Sequence, residues 1–391
     1  MYDIWVKKGI DLTITEDQDV LLGTAFRPHA PIIDEDSFIG RVEELSRVKG
    51  ALTKAGLHVV LYGERGSGKT SLANVATSHA MRLQVFCEED SSFASLLKDA
   101  VLRYQEQHPE HVVYDATTDS IELRGAKFAL NNLTGSTFLQ IVGKAPLSII
   151  FDELDRIQKK IVIKKLAELT KNAATFYPHL TLILVGVSDT ANDLLAGHKS
   201  NFRNLRQVQL GRMSNPELNG ILDRGASILG LTFADDVRKD MIALCDQMPY
   251  YLHLLATSAA TAALNRNSKE VAAGDLLEGT ITSAEDVDEK LRDAYEVAIL
   301  SEKGSLIYRR VIWAMASLNA ISNNVSAIAA VTNELALSEG GDGVTTQAIG
   351  GALKRLTTAD KQAIVVQATP GTYKFSDALM KGFVLLMRHG K

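Results

Sequence analysis

The sequence predicts an α/β fold: a mostly parallel sheet flanked by helices, followed by a helical stretch and a last small unit that contains a hairpin. Three observations predict it. Between residues 58 and 211, short apolar runs alternate with helical patterns, the spacing that parallel strands with crossover helices require. The run His58-Val59-Val60-Leu61-Tyr62 passes directly into Gly63-Glu64-Arg65-Gly66-Ser67-Gly68-Lys69-Thr70, a complete G-x-x-x-x-G-K-[ST] pattern. After Gly211 the apolar spacing turns helical.

The loop at 63–70 carries the chemistry of a nucleoside-triphosphate site. Its glycines let backbone N–H groups turn toward phosphates, Lys69 supplies a point charge, and the Thr70 hydroxyl is of the type that ligates Mg²⁺. Ser71 opens the following helical stretch, with apolar residues at 72, 75, 76, 80 and 83. Gly63, Glu64, Arg65, Gly66, Ser67, Gly68, Lys69, Thr70 and Ser71 are therefore the candidate phosphate-binding residues.

Composition bounds the remaining classes. A chain of 391 residues has room for two or three domains, and 46% hydrophobic with 23% charged residues is ordinary for a globular protein. No apolar run reaches bilayer length and the start, Met1-Tyr2-Asp3-Ile4-Trp5, lacks the layout of a secretion signal, so no membrane partner is expected. Cys87 and Cys245 can build neither a disulfide framework nor a metal cluster, which predicts a reducing cytoplasm. The net charge of −5 hides an asymmetry: residues 300–391 hold ten Lys/Arg and six Asp/Glu, or +4, which leaves −9 for the rest. A polyanion would dock on that tail.

In chain order, residues 1–36 lack clear periodicity and contain Arg27-Pro28-His29-Ala30-Pro31, so an extended N-terminal arm packing near the nucleotide is expected. Residues 37–211 form the P-loop α/β domain. It opens with Phe38-Ile39-Gly40-Arg41-Val42-Glu43-Glu44-Leu45, where an amphipathic helix begins that runs to about Ala55. Candidate strands are 58–62, 83–87, 147–152, 180–187 and 206–210, with a helix near 92–105 and local elements around 110–135. Residues 212–290 read as helical: Ser214-Asn215-Pro216-Glu217 caps a helix that stops at Gly230, and helices at about 234–247 and 249–264 follow. A charged helix near 283–300 leads into residues 291–391. There, helices at about 305–318, 324–335 and 345–357, the apolar Ile364-Val365-Val366, a turn, and Tyr373-Lys374-Phe375 give the layout of a winged helix-turn-helix.

The strand Leu147-Ser148-Ile149-Ile150-Phe151 ends in Asp152-Glu153. An acidic residue at a strand tip beside a P-loop completes a magnesium site, which assigns Asp152 and Thr70 to the metal, and a second carboxylate, Glu153, can polarise the attacking water. Asp155 reads equally as a helix cap or a solvated charge.

Together these residues resemble the AAA+ ATPase superfamily over about 37–264, and more narrowly its bacterial origin-recognition-like and STAND-like branch with a C-terminal winged helix. The resemblance implies ATP and Mg²⁺ as ligands, an α-helical lid at 212–290, ATP hydrolysis, and assembly into a homo-oligomer. It places Phe38 and Ile39 near adenine. It assigns a sensor role to Ser188, at the tip of Leu180-Thr181-Leu182-Ile183-Leu184-Val185-Gly186-Val187, where the alternative is a turn-initiating Ser-Asp pair. In Ser200-Asn201-Phe202-Arg203-Asn204-Leu205-Arg206 it implies an arginine finger, Arg203 ahead of Arg206; the alternative is a surface arginine paired to a carboxylate. In the lid the segment Gln247-Met248-Pro249 looks like the Gly-x-Pro motif of STAND ATPases with Pro249 kept, and His253 either senses phosphate or packs.

In the last unit, the helix that begins Thr345-Thr346-Gln347 ends in Lys354-Arg355, and Lys361 and Lys374 flank the hairpin, so duplex DNA is a candidate partner for 345–374, against packing on a protein partner. Three functions from different classes follow: an ATP-dependent switch in a regulatory or defence assembly with a partner effector, an initiator-like DNA-loading ATPase, and a scaffold that holds nucleotide without hydrolysing it.

Overall fold

The structure, a computed structural model, describes residues 14–110, 112–144, 146–195, 203–287, 289–300, 306–318, 320, 322–377 and 379–389. The described chain falls into two compact units, one of residues 30–213 and one of residues 14–29 together with 214–389.

In the first unit β1 (His58–Gly63), β2 (Arg82–Phe86), β6 (Leu147–Asp152), β7 (Leu180–Val187) and β8 (Leu205–Leu210) form one sheet of order β2-β6-β7-β1-β8. Every pairing in it is parallel. Side chains alternate across the sheet, so Val59 and Leu61 enter the layer of Val48, Leu72, Ile150, Ile183, Val185 and Val208. Val60 enters the opposite layer with Leu83, Val85, Phe138, Ile149, Phe151, Leu182 and Leu184. Both faces are covered by helices, which is why these strands read as unbroken apolar runs.

The register decides where the chemistry lies. Gly63 stands opposite Val187 on one side and Leu210 on the other, and Asp152 stands opposite Phe86. The phosphate loop, the acidic tip and the exit of β7 therefore leave the same edge of the sheet. That is the carboxyl edge, where open α/β sheets bind ligands.

The segment with weak periodicity between 88 and 146 contains helix Phe93–Gln107 and a separate antiparallel sheet of β3 (Val112–Asp115), β4 (Ser120–Leu123) and β5 (Ala126–Ala129). Arg124 and Gly125 join β4 to β5 with φ of 53° and 78°, the two positive angles that a tight two-residue hairpin turn needs.

In the second unit the expectation of an extended arm is corrected over part of its length: residues Glu16–Ala25 are helical. The cause is a capping box. Thr15 Oγ1 accepts from the Gln18 amide at 3.2 Å and the Gln18 side chain accepts from the Thr15 amide at 2.9 Å. The first thirteen residues of that arm lie outside the described residues. The helix packs on helix Asn215–Leu229, and the Phe26 ring fills the space beside Gly225, where a Cβ would run into it.

Helix Asn215–Leu229 starts at Ser214, whose amide donates to the Glu217 carboxylate at 2.8 Å, and ends at Gly230 with φ 62°. Helices Asp235–Leu244 and Pro249–Asn265 follow. The single charged helix expected near 283–300 is two, Ala273–Asp286 and Glu289–Ile299, because the chain turns extended at Val287. The earlier start is set by Asp275, which accepts from the Ala272 amide at 2.7 Å and pairs with Arg266 at 2.6 Å. Beyond lie helices Ile307–Ser317, Val325–Ser338 and Thr346–Leu356, then β12 (Val365–Thr369) and β13 (Thr372–Phe375). The short strands β9 (Thr232–Phe233) and β10 (Glu270–Val271) pair with each other, while β11 (Asn323–Asn324) joins β13 and β12 in a three-stranded sheet. A final helix, Leu379–His389, was not expected; buried Met380, Phe383, Val384 and Leu386 give it a core face.

Candidate functional site

The site is built around the turn that leaves β1. Gly63 has φ 148°, and a Cβ there would collide with the Leu210 carbonyl oxygen of β8. Gly68, at φ 92°, forms the left-handed cap of helix Lys69–Ala76. Only glycine takes both positions without strain. Lys69, the first residue of that helix, is buried and folds its Nζ back onto the Gly63 and Glu64 carbonyls at 3.1 and 2.7 Å. Burial pushes its amine down to about 8, against the pull of Asp155, Asp152 and Glu64. A cation held in this way trades two carbonyls for phosphate oxygens when an anion arrives.

Asp152 is 2% exposed at the end of β6. Its carboxylate is hydrogen-bonded by the Thr70 side chain, by the Glu153 amide at 2.9 Å and by the Gln84 side-chain amide at 3.2 Å. Desolvation raises its pKa, and these hydrogen bonds oppose the rise. The two residues expected at the metal, Thr70 and Asp152, are thus in direct contact. Hard oxygen donors suit Mg²⁺, which is bound through one or two carboxylates plus substrate phosphates and water. Among the described residues no group of three or more His, Cys, Asp or Glu could hold a metal. Gln84 on β2 was missed in the sequence, where it is one polar residue in a short strand.

Glu153 follows with φ 57° and its carboxylate lies 2.8 Å from the Arg156 guanidinium, both side chains about half exposed. Asp155 does more than solvate: its Oδ1 accepts the Val187 amide at 2.6 Å and ties the acidic tip to the end of β7. Ser188, next along, donates its hydroxyl to the Thr190 carbonyl at 2.8 Å, so its side chain is engaged in a local turn.

Phe38 is half-buried against the first-face core, and Ile39, the next residue, is half-buried. Ser71 accepts the Ile32 amide at 3.1 Å, which lays residues 30–36 against the start of the P-loop helix. Arg65 is exposed, and the Glu64 carboxylate sits 3.4 Å from Arg212.

Arg203 and Arg206 are not brought to this edge. Leu205, where β8 begins, is opposite His58, and Leu210, where it ends, is opposite Gly63, so Arg203 lies beyond the far end of the strand. Five residues of strand put about 17 Å between Leu205 and the loop level. Arg203 is exposed and Arg206 half-buried; Ser200, Asn201 and Phe202 lie outside the described residues.

Pro249 belongs to the second unit, where it is the first residue of helix Pro249–Asn265, a position that tolerates a missing N–H. His253 is buried one turn later. Its Nδ1 accepts the Arg27 amide at 3.4 Å, its ring meets Phe26 at 6.2 Å, and burial pushes its pKa down to about 4, so it packs. Lys361 is corrected as a flanking cation: it is buried, its Nζ donates to the Leu300 and Val297 carbonyls, and it lies 4.4 Å from the centre of the Tyr308 ring. Arg355 pairs with Asp360 at 2.7 Å.

No helix among the described residues is long and apolar enough to cross a membrane. No curated protein matches the chain. Among solved structures it is similar to the Walker-type ATPase of Pyrococcus abyssi, with TM-score 0.57 and 17% identity over 92% of this chain and 99% of that one. The Aeropyrum pernix ORC1 protein in complex with DNA follows at TM-score 0.47 and 15% identity, covering 94% and 96% of the two chains. A Thermotoga maritima RuvB variant gives 0.46 and 17%, covering 89% and 96%. Residues 37–183 match the family model described as the AAA ATPase domain, and they lie in the unit that holds the phosphate loop, whose parallel sheet flanked by helices is the α/β fold of P-loop ATPases.

Proposed function

We propose that the protein is an ATP-binding and ATP-hydrolysing switch of the AAA+/STAND-like kind that oligomerises in its ATP state and acts, with a partner effector, in a regulatory or defence assembly in the cytoplasm. The observation that carries this reading is the contact between Thr70 and Asp152 at the foot of the loop, with Glu153 the next residue. Phe38 and Ile39 take the adenine. The loop 63–71 takes the phosphates, Lys69 moving from its carbonyl partners to the phosphate oxygens. Magnesium, held through Thr70 and Asp152, would neutralise charge on the β- and γ-phosphates. Glu153 accepts a proton from water as the water oxygen bonds to the γ-phosphorus, and the bond from phosphorus to the bridging oxygen breaks, leaving ADP and phosphate. Ser188 turns its hydroxyl from Thr190 toward that water. Arg203, at the opposite end of β8 from its own loop, serves the nucleotide of a neighbouring copy, with Arg206 behind it.

Measuring particle mass with and without a non-hydrolysable ATP analogue, alongside phosphate release, tests the proposal. A larger particle with the analogue and slow release from ATP are expected. An unchanged mass with no release would leave a nucleotide-holding scaffold.

A second reading, an initiator-like ATPase on duplex DNA, is favoured by the +4 charge of residues 300–391. With Lys361 turned inward, Lys354, Arg355 and Lys374 remain as contacts, so log K should fall with log salt at a slope of roughly −2.7, not the roughly −3.6 of four cations. A filter-binding series between 50 and 200 mM salt, about the range over which such slopes are read, decides it.

A further inference from the structure

We propose that Arg41 is a positioning residue for the nucleotide site, holding the phosphate loop in its anion-binding shape by fixing the orientation of the Ser67–Gly68 peptide. The inference rests on the ATP-binding reading above. Arg41 precedes helix Val42–Leu52, follows Gly40 at φ 77° and itself has φ 56°. An arginine takes this left-handed conformation only against a steric cost, so its surroundings over-determine it. The side chain is 5% exposed and runs under the loop. Its Nη1 lies 3.2 Å from the Glu44 carboxylate, and its Nη2 donates both to the Ser67 carbonyl, at 3.3 Å, and to the Gly211 carbonyl.

A trans peptide is planar, with its C=O and N–H pointing in opposite directions. Holding the Ser67 carbonyl against the guanidinium turns the Gly68 N–H away from Arg41 and toward the anion. Gly68 has φ 92° and no side chain, so nothing of its own selects that orientation. The other anchor is rigid, because Gly211 directly follows Leu210, which is paired with Gly63. A second tie reaches the same stretch: Arg212 lies 3.4 Å from the Glu64 carboxylate, the pair largely buried. The loop is thus braced near both its ends to the exit of β8. A forked guanidinium can bridge two carbonyls in fixed directions, whereas a lysine ammonium keeps the charge without the fork.

The test measures affinity of the full-length protein for fluorescent ATP and ADP analogues with magnesium, and follows the Gly68 amide by ¹⁵N resonance. Arg41→Lys should weaken both nucleotides about tenfold to a hundredfold, the range for lost charged hydrogen bonds. It should also shift the Gly68 resonance in the nucleotide-free protein. Glu44→Gln, which leaves both carbonyl bonds in place, should bind within about twofold of the parent, well below the cost of a lost charged hydrogen bond. Arg41→Lys binding as the parent does, with Gly68 unmoved, overturns the proposal. Lys69→Ala separates the two readings: if it too binds normally, the ATP assignment fails; if only Arg41→Lys binds normally, the bracing alone fails. Should Arg41→Lys not unfold cooperatively, hydrogen exchange of the parent decides. Gly68 N–H should exchange freely without nucleotide and slow with the analogue, and protection already present without nucleotide overturns the proposal.

Discussion

Glu153 and Arg156 are joined by an ion pair of 2.8 Å within one tight turn, so the carboxylate proposed to activate water is held by a guanidinium three residues away. Both partners are about half exposed, and such pairs contribute little stability. The pair can therefore open when a polyphosphate reorders the site. Glu153→Gln keeps the size and loses the base. Nucleotide affinity should stay close to the parent while turnover falls roughly 10²–10⁴-fold. Phosphate release beside equilibrium binding checks this, and normal turnover removes Glu153 from its role.

Lys69 gives a prediction about protons. With its amine pushed down to about 8 in the free protein, it is mostly neutral at pH 9, and a bound triphosphate restores the charge. ATP binding should take up close to one proton at about pH 9 and almost none near pH 7. Titration calorimetry in two buffers of different ionisation enthalpy reads the difference directly. Equal heats in both buffers at pH 9 would contradict it.

Arg203 should act only between copies, because β8 separates it from its own loop. Arg203→Ala and Lys69→Ala should each be nearly inactive alone, with an arginine finger worth roughly 10³–10⁵ in rate. Mixing them should restore part of the activity, since one copy offers an intact loop and the other an intact arginine. No recovery at any mixing ratio rules out that geometry.

His58 sets an acid limit on the first unit. Its Nε2–H donates to the Thr170 carbonyl at 2.7 Å and its Nδ1 accepts the Leu182 amide at 3.0 Å, so the ring is neutral and fully used. Burial pushes its pKa down to about 4 from 6.5. The unfolded chain takes the proton first, so the contribution is complete above about pH 6.5 and is lost as pH falls toward 4, on the order of 3 kcal/mol in all. Denaturant unfolding at pH 7.5 and 4.5, repeated with His58→Asn, should show a smaller drop in the variant.

The sheet was legible because buried parallel strands leave long apolar runs, and 147–152 and 180–187 read directly from them. The loop was legible because a phosphate cradle needs glycines and a lysine at fixed spacing. What sequence did not reveal depends on contacts between distant residues. Gln84 matters because β2 lies beside β6, and Arg41 because Ser67 and Gly211 meet beneath the loop. Lys361 looked like a surface cation until its helix-capping carbonyls, Val297 and Leu300, came into place. Helix Glu16–Ala25 was hidden by weak periodicity, because its apolar residues run together at 20–22 and only Leu22 and Ala25 are buried, with Val20 and Leu21 exposed.

That helix has a consequence for how the protein is made. Its partner, helix Asn215–Leu229, is translated roughly 190 residues later, a wait of about 10–40 s at ordinary ribosome speeds. Ten residues are too few to hold a helix alone in water. Through that interval Leu22 and Phe26 have nowhere to go, and residues 30–213 emerge and can complete their sheet first. Residues 16–26 therefore wait unpartnered while all of residues 30–213 are made, and a chaperone would act on them through that interval.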